Sequence, residues 1–256
     1  MGQDIGQAYS HSGERNMRVL IIIPAYNESE NICPVVRNLE ENFPQYDYVV
    51  INDCSRDNTE EILRENNFNY ISLPINLGIG GGVQCGYLYA VKNGYDITVQ
   101  YDGDGQHNAE YIKDIIKPIE EGKADMVIGS RFITKEGFQT SSMRRLGINI
   151  IRFVIKLCSG VTVTDTTSGF RACSKEMTRF FSENYAQDYP EPEAIVSAAL
   201  NGFRVKEEAV VMNERAGGVS SISGFKSAYY MIKVSLAIIL HRFSYIGHRL
   251  KRRQKK

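Results

Sequence analysis

Tyr101-Asp102-Gly103-Asp104-Gly105-Gln106-His107 sets two carboxylates on either side of one glycine, just after the apolar run Ile97-Thr98-Val99. Residues i and i+2 of an extended segment point to the same side, so Asp102 and Asp104 can face one point. Like charges placed together need a positive charge between them. A hard divalent cation supplies one, takes oxygen ligands and commonly shares its sphere with substrate phosphates. Gly103 would let a bulky ligand approach the backbone, and Gln106 adds a neutral oxygen. The bland alternative is an acidic turn in water, and an Asp-x-Asp alone does not decide between them.

Other residues offer chemistry of their own. In Pro24-Ala25-Tyr26-Asn27-Glu28, a turn can hold a planar base against the tyrosine, with Glu28 reaching ribose or base donors. By itself such a segment is equally an ordinary Pro-containing turn. Asp53, in the run Asn52 to Thr59, can accept from a base N–H, which leaves Asp57 or Asn58 to cap a helix. Glu191 and Glu193 serve either a site or a helix N-terminus with a favourable dipole contact. His107 reads as a structural, hydrogen-bonding histidine. Gly78, Gly80, Gly81 and Gly82 mimic a phosphate loop but lack its Lys-Ser/Thr ending, so close helix packing explains them better. Asp165 and Arg171 are expected to form an internal ion pair, and Arg171 is open between scaffold and phosphate contact.

Strands and helices must bring these residues together. Val19 to Ile23 reads as a buried parallel strand that Pro24 ends. A helix capped by Asn27 or Ser29 follows to about Asn42. Strands are expected at Tyr48 to Ile51, Tyr70 to Leu73, Asp96 to Tyr101 and Ala124 to Ile128, with helices over Gly78 to Lys92 and residues 109–121. Alternation of this kind implies an α/β sheet with right-handed crossovers. Ligands of such sheets bind beyond the carboxyl ends of the strands, where Pro24, Asp53 and Asp102 all fall. Further on, the pattern predicts helices over Met143 to Leu157 and Glu193 to Asn201, an irregular stretch over Asp165 to Arg171, and a strand from Arg204 to Met212.

The chain has 256 residues, enough for one large domain, and 30 basic against 30 acidic residues. That balance argues against a nucleic-acid binder. The charge is uneven: Arg242 to Lys256 holds seven Lys or Arg and no acid. Such a tail suits an anionic surface, as on the cytoplasmic face of a membrane. Cysteines 33, 54, 85, 158 and 173 show no Cys-x-x-Cys spacing, which fits reduced cytosolic thiols and gives no zinc signature. No signal peptide is visible. From Phe225 to Leu250 apolar residues recur on one helical face. The run is too interrupted to predict a membrane span, so it reads as an interfacial helix, the alternative being a helix packed on the core.

Taken together, Pro24 to Glu28, Asn52 to Thr59, Asn76 to Gly82, Asp102 to His107 and Gly129-Ser130-Arg131-Phe132 resemble, in order and spacing, the family 2 glycosyltransferases of GT-A fold. Asp165 to Ala172 and Glu214 to Ser221 resemble the dolichyl- and polyprenyl-phosphate sugar transferase branch. The resemblance spans about residues 18–222. It implies a Rossmann-like, mainly parallel sheet in a domain over 17–222, after a flexible 1–16 and before a C-terminal amphipathic helix and basic tail over 223–256. It implies nucleotide contacts from Pro24, Tyr26, Glu28, Asp53, Asp102 and Gly103, and a Mg²⁺ or Mn²⁺ site of Asp102, Asp104 and Gln106. Arg131, Arg144, Arg145, Arg215 and Ser220 match positions for the leaving diphosphate or an acceptor phosphate. Asp102, Asp104 and Arg131 are the expected catalytic residues, with Glu193 as candidate base. One departure is that Asn52-Asp53-Cys54 replaces the usual Asp-Asp-Gly; another is the absence of the long transmembrane helices that several relatives carry.

The resemblance thus implies inverting transfer of a sugar from a nucleotide sugar, UDP-linked by expectation, to a polyprenyl phosphate. The enzyme is expected to be cytoplasmic, peripheral on the inner face of the plasma membrane, with a membrane-protein partner and no nucleic acid. The alternatives are a transferase that extends a lipid-linked saccharide, and a non-catalytic nucleotide-sugar-binding scaffold.

Overall fold

The computed structural model describes residues 17–134, 136, 142–188, 190–213 and 225–254. Seven strands form one sheet: β1 (Val19–Ala25), β2 (Asp47–Asn52), β3 (Tyr70–Ser72), β4 (Ile97–Gln100), β5 (Met126–Ser130), β6 (Arg171–Ser174) and β7 (Val205–Ala209). Their order is β3-β2-β1-β4-β6-β5-β7. All neighbours are parallel except β6, which runs antiparallel to both β4 and β5. The expected mainly parallel α/β sheet is therefore present.

Every residue of β1 is buried, as a central strand covered on both faces must be. Val19, Ile21 and Ile23 face one core, with α1 (Ile32–Asn42), α2 (Thr59–Glu65) and α4 (Ile112–Glu120). Leu20 and Ile22 face the other. That second core takes in α3 (Gly78–Asn93), α5 (Ser142–Ser159), α6 (Lys175–Asn184), α7 (Pro190–Leu200) and α8 (Phe225–Gln254). Val234 and Ile238 of α8 are fully buried there, so α8's inward side belongs to the core. Among the described residues no helix is long and apolar enough to cross a membrane.

Several expectations are corrected. β1 continues through Pro24 to Ala25. Asp53 N–H bonds Ala25 O and Tyr101 N–H bonds Ile22 O, so the backbone N–H and C=O groups of odd-numbered β1 residues point to β2 and those of even-numbered ones to β4. The β4 register ends at Ile22–Gln100, so Pro24 lacks its N–H where no rung remains to be made. Neither Asn27 nor Ser29 caps α1; its N-cap is Asn31. β6 and α6 have no counterpart among the predicted elements, and of α2 (N-cap Asn58) only the capped start was expected.

Candidate active site

The site assembles at the carboxyl ends of β1, β2, β4 and β5. The two loops after β1 and β2 are stitched together. Asn27 N–H bonds Ser55 Oγ at 3.0 Å, and Arg56 N–H bonds Asn27 Oδ1 at 2.8 Å. Glu28 N–H bonds Thr59 Oγ1 at 2.9 Å, and Ser29 N–H bonds Asp57 Oδ2 at 3.2 Å. Tyr26 is 42% exposed at the mouth. Glu28 Oε2 accepts from Asn31 Nδ2. Asp53 is buried, and its Oδ1 takes the Leu77 N–H at 2.7 Å, fixing the entry to α3. Asp57, as expected, serves a helix start: its Oδ1 accepts from Thr59 N–H.

The departure from Asp-Asp-Gly has a local explanation. Asn52 Nδ2 donates to Ser72 Oγ at 3.0 Å while its Oδ1 accepts from Ser55 N–H. An aspartate could not supply that donor. Cys54 has φ +58°, the left-handed conformation in which glycine is unstrained.

The acidic loop hangs on His107. Its Nδ1 accepts the Asp102 N–H at 3.0 Å, which puts the ring proton on Nε2. Nε2 lies 3.6 Å from Asp102 Oδ2. The ring stacks on Phe170 at 4.9 Å, and Tyr101 Oη donates to the His107 carbonyl. His107 is thus structural, as expected. Asp102 Oδ1 also accepts from Gln100 Nε2 at 3.2 Å. Behind it stands Gly169, where an added Cβ would meet Asp102 Oδ2 at 2.6 Å. Asp104 Oδ1 accepts the Gln106 N–H. A Cβ on Gly103 would meet Pro24 O at 3.3 Å and Ile32 Cδ1 at 3.4 Å. The glycine serves close approach of the chain to itself.

The donor set suits a hard cation. Asp102 and Asp104 offer carboxylate oxygens from one loop, and the Asp102 side chain is 32% exposed. Among the described residues no three His, Cys, Asp or Glu side chains gather into a cage. A cation here would draw most of its ligands from phosphates and water, a usual arrangement for Mg²⁺.

Arg131 closes the other side. Its Nε and Nη2 bond Asp165 Oδ2 and Oδ1 at 2.7 and 2.9 Å, and Nη2 also reaches Thr167 Oγ1. Asp165 is fully buried. Glu207 of β7 accepts the N–H groups of Thr164 and Asp165 at 2.6 and 2.8 Å, which fixes that loop. The expected Asp165–Arg171 pair is therefore corrected: Asp165 belongs to Arg131. Arg171 is buried and donates to Ser168 O and Glu191 O, both at 2.7 Å, and its Nη2 has no partner among the described residues. The guanidinium groups of Arg131 and Arg145 lie 5.3 and 5.5 Å from the centre of the Phe132 ring, so two cations share one aromatic support.

Of the two glutamates in the first turn of α7, Glu191 is the one that senses the acidic loop. Burial pushes its carboxyl up, Arg171 opposes this, and the Asp102 charge adds to it. Glu193 is pushed up by burial and then by Asp188. Asn213 N–H bonds Gln106 O at 2.9 Å, which ties the segment after β7 to the acidic loop. Arg215 and Ser220 lie outside the described residues, as does the side chain of Arg144. Sequence reasoning missed Gln100, Gly169 and Glu207. Gln100 had a signal, being two residues before Asp102 on the same side of the chain. The other two depend on register.

Residues 20–181 match the family described as Glycosyl transferase family 2. This chain is a family 2 glycosyltransferase. The transferase is 32% identical to the UDP-N-acetylglucosamine--dolichyl-phosphate N-acetylglucosaminyltransferase of Methanococcus voltae, over 87% of this chain and 98% of that protein. It is 29% identical to the polyprenol monophosphomannose synthase of Mycolicibacterium smegmatis, over 85% of this chain and 86% of that one. Among solved structures, glucosyl-3-phosphoglycerate synthase of Mycobacterium tuberculosis, in complex with Mn²⁺, UDP and phosphoglyceric acid, superposes with a TM-score of 0.68. That match covers 89% of this chain and 78% of the other at 17% identity, and establishes the shared GT-A fold of the transferase.

Proposed function

We propose that this transferase moves a sugar from a nucleotide sugar, UDP-linked, to the phosphate of a polyprenyl phosphate at the cytoplasmic face of a membrane. The observation that carries this reading is the likeness to the dolichyl-phosphate transferase along 98% of that protein's length. The geometry supports it. Asp102 and Asp104, with Gln106 beside them, would hold Mg²⁺ or Mn²⁺, which when bound neutralises charge developing on the departing diphosphate. Pro24, Tyr26, Glu28, Asp53 and Gly103 would form the nucleotide pocket around the stitched loops. Arg131 and Arg145, both over the Phe132 ring, would offer cations to phosphate oxygens. Arg131 is preorganised by its two-pronged bond to Asp165. Arg144, Arg215 and Ser220 are assigned to the same phosphates.

An acceptor phosphate is anionic near neutral pH and needs no strong base. Its oxygen attacks the anomeric carbon opposite the diphosphate, which leaves with the bonding pair, and the anomeric centre inverts. A saccharide hydroxyl acceptor is the second reading. It is favoured by Glu191 and Glu193, whose raised carboxyls suit a general base.

The test is a panel of nucleotide sugars offered with a short polyprenyl phosphate, read by the mass of the lipid product. Sugar added to the bare lipid phosphate is the expected result. Sugar added only to a lipid that already carries a saccharide would move the second reading ahead.

A further inference from the structure

The outer sides of α5 and α8 carry large apolar side chains that the fold leaves in solvent. On α5 these are Leu146, Ile150, Phe153 and Leu157, with Phe153 68% and Leu157 73% exposed. Spacings of four, three and four make them one stripe. The opposite side of α5, with Ile148, Ile151 and Ile155, is in the core. On α8 the stripe is Ile232, Leu236, Leu240 and Phe243, opposite the buried Val234 and Ile238. The helices lie against each other: a Cβ on Gly147 of α5 would overlap Met231 Sδ of α8. Across the sheet, α1, α2 and α4 have no large exposed apolar residue among the described residues. Single exposed leucines are ordinary, but a face shared by two helices calls for a partner.

Charge identifies the partner. The chain is neutral overall, yet neither α5 nor α8 contains an Asp or Glu. The apolar stripe of α8 runs into the seven Lys and Arg of residues 242–256. Apolar stripes with a cationic rim complement the headgroup region of an anionic bilayer. A second copy of the chain would bring the same cations into repulsion with themselves. The face also reaches the site, since Arg145, one residue before the α5 stripe begins, shares the Phe132 ring with Arg131.

We infer that α5 and α8 together form one lipid-facing surface that lies in the interface of an anionic membrane and opens onto Arg131 and Arg145. Its use, to bring a lipid's phosphate end to the site, rests on the lipid-phosphate reading above; its existence does not. The chain contains no tryptophan, so Phe153→Trp creates a single reporter in the full-length protein. With vesicles of mixed neutral and anionic phospholipid, its emission should shift to the blue and be quenched by brominated acyl chains. Lys113→Trp, on α4, should show neither effect. Phe153→Ser with Leu157→Ser should weaken vesicle binding roughly tenfold or more, while transfer to a short, water-soluble polyprenyl phosphate stays unchanged. A Phe153→Trp reporter that remains water-like while the protein binds vesicles would overturn the inference. So would absence of vesicle binding, or a blue shift without lipid that tracks a doubling of mass, which would assign the face to a second copy. If vesicle binding behaves as expected and no lipid phosphate is ever glycosylated, the surface stands and the acceptor reading fails.

Discussion

Asp102 and Asp104 carry the sharpest test at the level of single residues. Replacing either with Asn removes one charge from the proposed cation site and leaves its shape. Loss of an electrostatic stabiliser predicts a fall in turnover of roughly 10²–10³-fold, with the melting temperature little changed. Near-normal turnover of both variants at saturating metal would end the metal assignment. Glu193 gives a second test, in which pH enters. Its carboxyl is pushed up in the folded protein by burial and then by Asp188. A carboxyl with a raised folded pKa contributes stability that is full below its unfolded value, about 4.3, and is lost as pH rises through the folded one. Glu193→Gln removes that loss. Melting curves of the two proteins should therefore coincide near pH 3.5, and the variant should melt higher near pH 7. Transfer to a lipid phosphate should fall only modestly in this variant, because little proton removal is asked of it. A folded, substrate-binding variant with no transfer at all would mark Glu193 as a base.

At the level of elements, α3 sets the loop before α7. A Cβ on Gly80 would strike the Ala186 carbonyl and lie 2.5 Å from that of Gln187, so helix and loop pack backbone to backbone. Gly80→Ala should destabilise the fold by about 1–3 kcal/mol, measured by chemical denaturation, and an unchanged midpoint would refute this packing account. This is the role that the glycine run suggested once its lack of a P-loop ending was noticed. Much else was legible for the same reason, that local chemistry was enough. The Val19–Ile23 run announced a central strand, and the position of Asp102 after an apolar run announced a strand end. What escaped depended on distant partners. Of α2 only the capped start was legible, because just Thr59 and Leu63 of its seven residues are buried, too few to show a period. β6 is Arg-Ala-Cys-Ser, polar by composition and buried only because β4 and β5 enclose it. The same strand misled the pairing of Asp165: Arg171 is close in sequence, but the register delivers Arg131 instead.

For the molecule as a whole, the tail and α8 must be distinguished. Removing 225–256 would strip Val234 and Ile238 from the core, so the result would report unfolding as much as membrane affinity. Removing 248–256 leaves the described inward face of α8 in place and takes away six of the seven clustered basic residues. Each such residue near an anionic surface contributes about 1 kcal/mol. The truncated protein should sediment with anionic vesicles much more weakly at low salt, with the gap closing as salt rises. Equal binding of both forms at low salt would show that the tail plays no part.

The single antiparallel strand also fixes an order of assembly that differs from the order of synthesis. Among the described residues β5 pairs with β6 and β7 alone, and β4 with β1 and β6 alone. When Met126–Ser130 is made, no earlier strand exists for it to join. The growing chain can close β3-β2-β1-β4, but that sheet keeps a bare edge at β4, the kind of edge that recruits wrong partners. Only when Arg171–Ser174 arrives, some forty residues after β5, can it slot between the two and draw β5 in. The same event brings Gly169 against Asp102 and Phe170 against His107. In a nascent chain the joining of β5 to the sheet and the packing behind the acidic loop thus belong to one late step.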